Sequence, residues 1–145
     1  MQIRYASILD SEEIYEINSH IMTRIWCLSP EPFALSQHQV WYKKALSERG
    51  FFVIEDYGNI VCTCNLRKYK TGKEVSIATH PIYWGKGYGL KMLEHIKSLK
   101  NDLWAMIDIE IHASMGLFKK AGFKAECFEP YENRNMIWYV FKEPC

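Results

Sequence analysis

Three glycines stand at alternate positions, Gly85, Gly87 and Gly89, where a β-strand pattern gives way to a helix pattern. The strand pattern covers residues 74–79, and an amphipathic helix pattern covers residues 90–96. Glycine lets backbone N–H groups turn outward without a Cβ clash, and the N-terminus of the following helix adds a partial positive charge. The sequence therefore predicts a cradle for an anion, for which phosphate or pyrophosphate is the natural ligand.

The spacing of these glycines does not fit two familiar nucleotide-binding motifs. The Rossmann motif requires G-x-G-x-x-G, whereas this chain has G-x-G-x-G, and the P-loop motif G-x-x-x-x-G-K-[ST] is absent. A glycine-rich turn that only caps a helix is the structural alternative.

Length and composition indicate one folded domain over residues 1–145. Apolar residues make up 48% of the chain and aromatic residues 14%, which excludes a disordered protein. A net charge of +1 gives no basic surface for a nucleic acid or a membrane. There is no apolar run of transmembrane length and no signal-peptide profile at the N-terminus, so we expect a soluble, cytoplasmic protein.

The five cysteines, at positions 27, 62, 64, 127 and 145, form an odd set without C-x-x-C spacing. Cys62 and Cys64 stand two apart in a strand-like run, so both side chains point to one face, where small buried hydrophobes need no further function. No other ligands accompany them at a suitable spacing, and we expect no metal site.

The hydrophobic periodicity predicts a strand, two helices, three antiparallel strands, the helix after the glycines, a further strand, a short helix and a final hairpin. The predicted strands cover 2–7, 51–55, 60–69, 74–79, 103–109, 123–131 and 134–141, and the predicted helices cover 11–24, 36–47, 90–96 and 113–121.

The glycine segment resembles the loop that holds the pyrophosphate of acyl-CoA in the GNAT N-acyltransferase superfamily, R/Q-x-x-G-x-G/A. Here the segment begins with Trp84, where the family usually has Arg or Gln. A second segment, residues 113–123, resembles the family's N-x-x-(A/S)-x-x-L-(Y/F)-x-K-x-G-F pattern. The resemblance covers nearly the whole chain and implies an α+β fold (three α/β layers) with a mixed, mostly antiparallel sheet of about seven strands and four helices.

A narrower likeness links the chain to the GNAT branch that acetylates amines on nucleotide-linked amino sugars. It rests on an H-x-x-W helix in residues 35–42, an FF-x-I strand in residues 51–55 and an E-(I/V)-S-I strand in residues 74–77. Fold and lineage do not fix a substrate, so the acceptor stays open.

If the resemblance holds, the cosubstrate is acetyl-CoA, and an acceptor amine attacks its thioester directly. The strand before the glycines would pair with the pantetheine amides, a strand N–H near Ile77 would stabilise the oxyanion, and the loop N–H groups would hold the pyrophosphate. The implied cofactor residues are Ile77, Ala78, Thr79, Trp84, Gly85, Lys86, Gly87, Tyr88, Gly89, Leu90 and Phe118.

The chain departs from the family at three positions that matter for proton transfer. Phe118 replaces a Tyr that protonates the leaving thiolate, Met106 replaces a Glu on the preceding strand, and Ile111 replaces an Asn that contacts the cofactor.

Three other residues are the candidates for catalysis. Glu74 is a candidate base, directly or through water, and a solvated strand charge is its alternative. His38 has a suitable pKa on a helix near the expected acceptor cleft, and helix packing is its alternative. Ser114 is positioned to hydrogen-bond the cofactor sulfur.

We expect the acceptor to contact the loop at residues 26–33, the predicted helix 36–47 and the predicted strand 60–69. The candidate contacts are Trp26, Phe33, Trp41 and Asn65, although aromatic side chains that close the core edge are an alternative. The open functional hypotheses are acetylation of a small amine, acetylation of a protein or peptide amine, a non-catalytic acyl-CoA-binding module, and a nucleotide-binding regulator. We expect a monomer or a homodimer.

Overall fold

The computed structural model describes residues 1–24 and 31–144. Its strands are β1 (Gln2–Tyr5), β2 (Gly50–Asp56), β3 (Asn59–Tyr69), β4 (Gly72–Thr79), β5 (Leu103–Asp108), β6 (Lys124–Tyr131) and β7 (Arg134–Phe141). Its α-helices are α1 (Ser11–Ser19), α2 (Ile21–Arg24), α3 (Leu35–Glu48), α4 (Tyr88–Lys97) and α5 (His112–Lys120), and short 3-10 turns cover Ile8–Asp10 and Pro81–Tyr83.

The seven strands form one sheet in the order β1-β2-β3-β4-β5-β7-β6. Every neighbouring pair is antiparallel except β4 and β5, which are parallel. This arrangement confirms the mixed, mostly antiparallel sheet that the sequence predicts.

The number of helices differs from the prediction of four, because the described residues contain five α-helices. The predicted helix over residues 11–24 is interrupted at His20, whose backbone is extended (φ −58°, ψ 135°). The His20 side chain stabilises the break, since its Nδ1 accepts a hydrogen bond from the Met22 N–H at 3.1 Å and so caps α2.

The two faces of the sheet carry separate apolar cores. Helices α4 and α5 cover one face, where Met92, Leu93 and Phe118 pack against strand residues such as Phe52. Helices α1 and α3 cover part of the other face, where Ile14 packs in a cluster with residues such as Val53. Alternate strand residues supply the two cores, as the pleat requires.

Cys62 and Cys64 both lie in the core on the α4 side. Burial raises the pKa of the Cys62 thiol to about 12 and the pKa of the Cys64 thiol well above its ordinary value.

The longest helix, α3, has 14 residues, and within the described ranges no helix combines the length and the apolar character that a bilayer crossing requires.

The parallel pairing of β4 with β5 is short. Only Lys73 with Leu103 and Glu74 with Trp104 are in register. The strands meet most closely at Gly72, where a Cβ atom would lie 2.1 Å from the carbonyl oxygen of Asp102. Glycine is required there because a side chain would have to displace backbone.

We predict that Gly72→Ala lowers the free energy of unfolding by about 1–3 kcal/mol, the usual cost of overpacking. Urea denaturation gives the value. Gly50→Ala is the matched control, because a Cβ at this other strand glycine would meet its nearest neighbour at an ordinary 3.5 Å. Equal stability of the two variants would contradict the tight contact at Gly72.

Candidate active site

The β4 side of the opening between β4 and β5 is a row of peptide groups. The His80 N–H donates to the Val61 carbonyl at 2.9 Å, which fixes the alternation of the ladder with β3. The backbone of Ala78 therefore faces β3, whereas the backbone groups of Ile77 and Thr79 face away from β3, toward the opening. Of the three expected pantetheine contacts on this strand, Ile77 and Thr79 have backbone groups that face the opening, and the Thr79 carbonyl already accepts a hydrogen bond from the Trp84 indole.

The β5 side of the opening has the same character. The Ile109 N–H donates to the Asn135 carbonyl at 3.0 Å, so alternation along the β5–β7 ladder turns the backbone of Met106 away from β7. Past the pair of Glu74 and Trp104, peptide groups of β4 and β5 thus face each other without ladder pairing. An extended chain that carries amide groups could pair with both walls as a strand does.

The glycine loop follows β4 and ends at the N-terminus of α4. Gly85 (φ +78°) and Gly87 (φ +85°) have left-handed backbone conformations, and a Cβ at either position would meet nothing within 4 Å. Among the described residues, no hydrogen bond uses the N–H groups of residues 85–90. This cluster of free donors at a helix N-terminus has the geometry that an anion cradle requires, and its ligand stays a prediction.

Two members of the expected set have other partners. The Trp84 N–H donates to the Pro81 carbonyl at 3.2 Å, so the free donors begin at Gly85. Gly89 has no left-handed backbone, and a Cβ there would lie 3.0 Å from Leu117 Cδ2. The third glycine thus permits close packing of α4 on α5 and supplies only its N–H to the cradle.

The Trp84 side chain, at the position where the family usually has Arg or Gln, makes a hydrogen bond within the protein. Its indole Nε1–H donates to the Thr79 carbonyl at 2.8 Å, although the residue is 48% exposed. The bond ties the first residue of the loop to the last residue of β4. Trp84 therefore contributes to the position of the cradle rather than a donor to it.

Tyr88 anchors the other end of the loop. Its hydroxyl donates to Asp56 Oδ2 at 2.6 Å, and this bond raises the pKa of Tyr88 to about 12 and lowers the pKa of Asp56. The Tyr88 ring is buried, so only its N–H is available to a ligand. Lys86 and Lys91 lie against aromatic rings next to the cradle, each with its Nζ 5.7 Å from a ring centroid, and add positive charge.

Glu74 lies at the point where β4 and β5 separate. Its side chain is 15% exposed and accepts a hydrogen bond from Arg67, the residue opposite it on β3. The ion pair fixes the carboxylate on the sheet face that α3 leaves uncovered.

His38 lies in the interior between α1 and α3 and is only 2% exposed. Its ring stacks on Tyr42 at 5.5 Å and lies 6.1 Å from the ring of Phe33, and burial lowers its pKa. The sequence expectation that His38 serves as a base near an open cleft is not supported by this position, because its helical spacing to Tyr42 turns it into the core.

Two of the predicted site residues, Ser114 and Phe118, belong to the second motif, residues 113–123. Ser114 lies half-buried in the first turn of α5. Phe118 is 3% exposed and packs edge-to-face on Phe123, with ring centroids 4.9 Å apart. The Phe118 ring is thus part of the core, so the expected contact of this ring with a cofactor finds no exposed surface.

One of the expected acceptor residues, Trp26, lies outside the described residues. The other three occupy two separate places. Phe33 packs between α1 and α3, and its carbonyl accepts a hydrogen bond from the Tyr15 hydroxyl at 2.9 Å. Trp41 and Asn65 are brought together by Arg49, which donates to Asn65 Oδ1 at 3.1 Å and lies over the Trp41 ring at 5.7 Å.

Arg49 and Arg67 contact the candidate residues Asn65 and Glu74, and the sequence alone did not predict either contact. A signal was present, because Asn65 and Arg67 alternate with buried residues on β3. Such alternation on a strand in the middle of a sheet indicates a polar surface on one face.

Within residues 1–24 and 31–144, no three His, Cys, Asp or Glu side chains are grouped so as to hold a metal ion.

The model of the acetyltransferase (GNAT) domain matches residues 1–124, which is most of the chain. The protein belongs to the GNAT acetyltransferase family. No curated protein sequence matches it. Many solved structures share the fold of this chain at low sequence identity.

Three of these structures illustrate the likeness of this GNAT protein to known ones. The spermidine N-acetyltransferase of Vibrio cholerae, in complex with CoA and spermine, has a TM-score of 0.84 and 17% identity over 98% of this chain and 95% of its own. The ribosomal-protein-alanine N-acetyltransferase of Brucella melitensis has a TM-score of 0.84 and 17% identity over 98% and 99%. The phosphinothricin acetyltransferase of Sinorhizobium meliloti, in complex with AcCoA, has a TM-score of 0.79 and 16% identity over 97% and 86%.

The family and the fold expected from the two motifs are therefore confirmed. The narrower likeness to enzymes of nucleotide-linked amino sugars stays a prediction.

We predict that Gly87→Ala weakens CoA binding by roughly ten-fold, because an L-residue at φ +85° costs about 1–2 kcal/mol. Gly87→Asp should weaken it further by placing a negative charge beside the diphosphate. Isothermal titration calorimetry with CoA measures both. Gly116→Ala on α5 is the control, since its Cβ meets nothing within 4 Å and its φ is not left-handed. Unchanged CoA affinity in both Gly87 variants would refute the cradle.

We predict that Trp84→Phe raises the Kd for CoA several-fold, because it removes the bond from the indole to Thr79, a neutral hydrogen bond worth about 1 kcal/mol. Trp138→Phe is the control, because it removes an indole bond to Glu129 on the β6–β7 hairpin and leaves the bonds of the glycine loop in place. An equal effect of the two changes on CoA affinity would show that Trp84 has no particular part in the loop.

Proposed function

We propose that this protein transfers an acetyl group from acetyl-CoA to the primary amine of a small acceptor, in a ternary complex. The observation that carries the proposal is the continuity of the site. A cradle of free N–H groups at residues 85–90 opens into a gap lined by unpaired peptide groups, which leads to the carboxylate of Glu74.

The residues present fit acetyl-CoA. The open space in front of Gly85 and Gly87 admits a diphosphate, and residues 85–90 supply its donors. The backbone edges of Ile77 and Met106 match the amide groups of a pantetheine arm. The V. cholerae and S. meliloti structures were solved with CoA and AcCoA, which supports this choice of cosubstrate.

Acetyl-CoA supplies a thioester whose carbonyl carbon is open to attack by a neutral amine. The Ile77 N–H is the proposed donor to the carbonyl oxygen as negative charge develops on it. Glu74 is the proposed acceptor of the amine proton, directly or through a water molecule. A C–N bond forms and the C–S bond breaks, and the leaving thiolate takes a proton from water, with Ser114 as the proposed hydrogen-bond partner of that sulfur.

The acceptor is the least defined part of the proposal. The likeness to the branch that acts on nucleotide-linked amino sugars favours a sugar amine, and acetylation of a protein amine is the alternative with the same chemistry. The absence of the family's Tyr and Glu, replaced here by Phe118 and Met106, favours a second candidate function, a non-catalytic acyl-CoA-binding module.

Thiol release from acetyl-CoA in the presence of a panel of amines tests the function. We predict turnover with at least one small amine, and a decrease in kcat on the order of a hundred-fold in Glu74→Gln. Arg67→Gln is the control, because it breaks the same ion pair but keeps the carboxylate. Tight CoA binding without thiol release from any amine would identify a binding module instead.

A further inference from the structure

The sheet face beside Glu74 is an open floor. Ser76 lies on β4, a central strand of a seven-stranded sheet, and yet its side chain is exposed. The register places Asn65 opposite Ser76 and Arg67 opposite Glu74, and these pairs lie on one face. Helix α3 lies beside this face, where Trp41, in the middle of the helix, packs on Phe51. The exposed serine therefore marks a part of this face that is open to solvent.

The charges on this floor are unequal. Arg67 is paired with Glu74, whereas Arg49 has only the neutral Asn65 as a hydrogen-bond partner and has no carboxylate partner among the described residues. Extending the β2–β3 register by one residue places Arg49 opposite Arg67. Among residues 1–24 and 31–144, the floor therefore has two guanidinium groups for one carboxylate, and one positive charge has no acidic partner.

Arg49 is also held in place. It is half-buried, its guanidinium lies 5.7 Å from the centroid of the Trp41 ring, and one of its nitrogens donates to Asn65. A guanidinium held on an aromatic ring, with donors to spare, binds a carboxylate or phosphate in a defined geometry.

We infer that the acceptor is a primary amine that also carries an anionic group, a carboxylate or a phosphate, which Arg49 binds while the amine reaches the gap beside Glu74. The inference rests on the proposed function and narrows its substrate class. A polyamine fits this floor poorly, because its remote ammonium groups would meet the uncompensated positive charge.

The sheet geometry sets the separation of the two groups. The Arg49 guanidinium is bonded to a residue of β3, and the gap lies beyond the next strand, β4. Neighbouring strands are about 4.8 Å apart, so the anion and the amine should be separated by roughly 5–10 Å. An α-amino acid is too short for this span, whereas an ω-amino acid or an amino-sugar phosphate can bridge it.

Calorimetric titration of matched amines into the CoA complex tests the inference independently of turnover. The carboxylate arm compares glycine and γ-aminobutyrate with methylamine and butylamine, and the phosphate arm compares glucosamine-6-phosphate with glucosamine. We expect γ-aminobutyrate or glucosamine-6-phosphate to bind at least ten-fold more tightly than its counterpart without the anionic group, and glycine to gain little over methylamine. The arm with the larger gain identifies the anion.

The Arg49→Gln variant should weaken binding of the preferred anionic amine by about ten- to hundred-fold, the usual effect of losing a charged hydrogen bond, with CoA affinity unchanged. Lys44→Gln, which removes one positive charge from the exposed side of α3, should leave both affinities unchanged. Equal binding of amines with and without the anionic group, or an equal loss for both in Arg49→Gln, overturns the inference. Thiol release, measured on the same samples, separately decides whether the protein is an enzyme.

Discussion

The separation of two parallel strands after only two paired positions is the constraint on which the site depends. Gly72 lets β4 approach the backbone of Asp102, and the ladder then ends at Glu74 and Trp104. Unpaired peptide groups are costly when buried, so a sheet keeps them only where water or a ligand can satisfy them. Helices α4 and α5 close one side of the gap, and the exposed Ser76 shows that the other side stays open. The two substrates can therefore approach from different directions.

The glycine loop shows how one sequence pattern serves two physical needs. Gly85 and Gly87 adopt backbone conformations that an L-residue resists, and this turns donors outward. Gly89 instead removes a side chain where α4 meets Leu117. The loop is held at both ends by side chains that do not touch the anion site, the indole of Trp84 and the hydroxyl of Tyr88. A preorganised cradle of this kind loses little conformational freedom when a ligand binds.

The sequence predicted the features that follow from local rules. These are the turns at Tyr57–Asn59 and Lys70–Lys73 that join antiparallel strands, the glycine loop before a helix, and membership of the GNAT family. It did not predict the break at His20, because the capping bond that stabilises an extended residue there is not visible in helical periodicity. His38 was assigned a chemical role from its ordinary pKa, yet tertiary packing buries it. Arg49 was missed because its importance arises from pairing across strands and from the lack of an acidic partner, and neither is encoded at one position.

The burial of Cys62 and Cys64 has a consequence for the route of the acyl group. Cys62 and Cys64 lie on β3, where they pair with Thr79 and Ile77 of β4, and β4 separates them from the gap. Sulfur nucleophiles so close to a thioester could in principle accept the acetyl group first and pass it on. The raised pKa of both thiols keeps them protonated, and their enclosure under α4 keeps them out of reach. A double-displacement route through either of these two sulfurs is therefore closed.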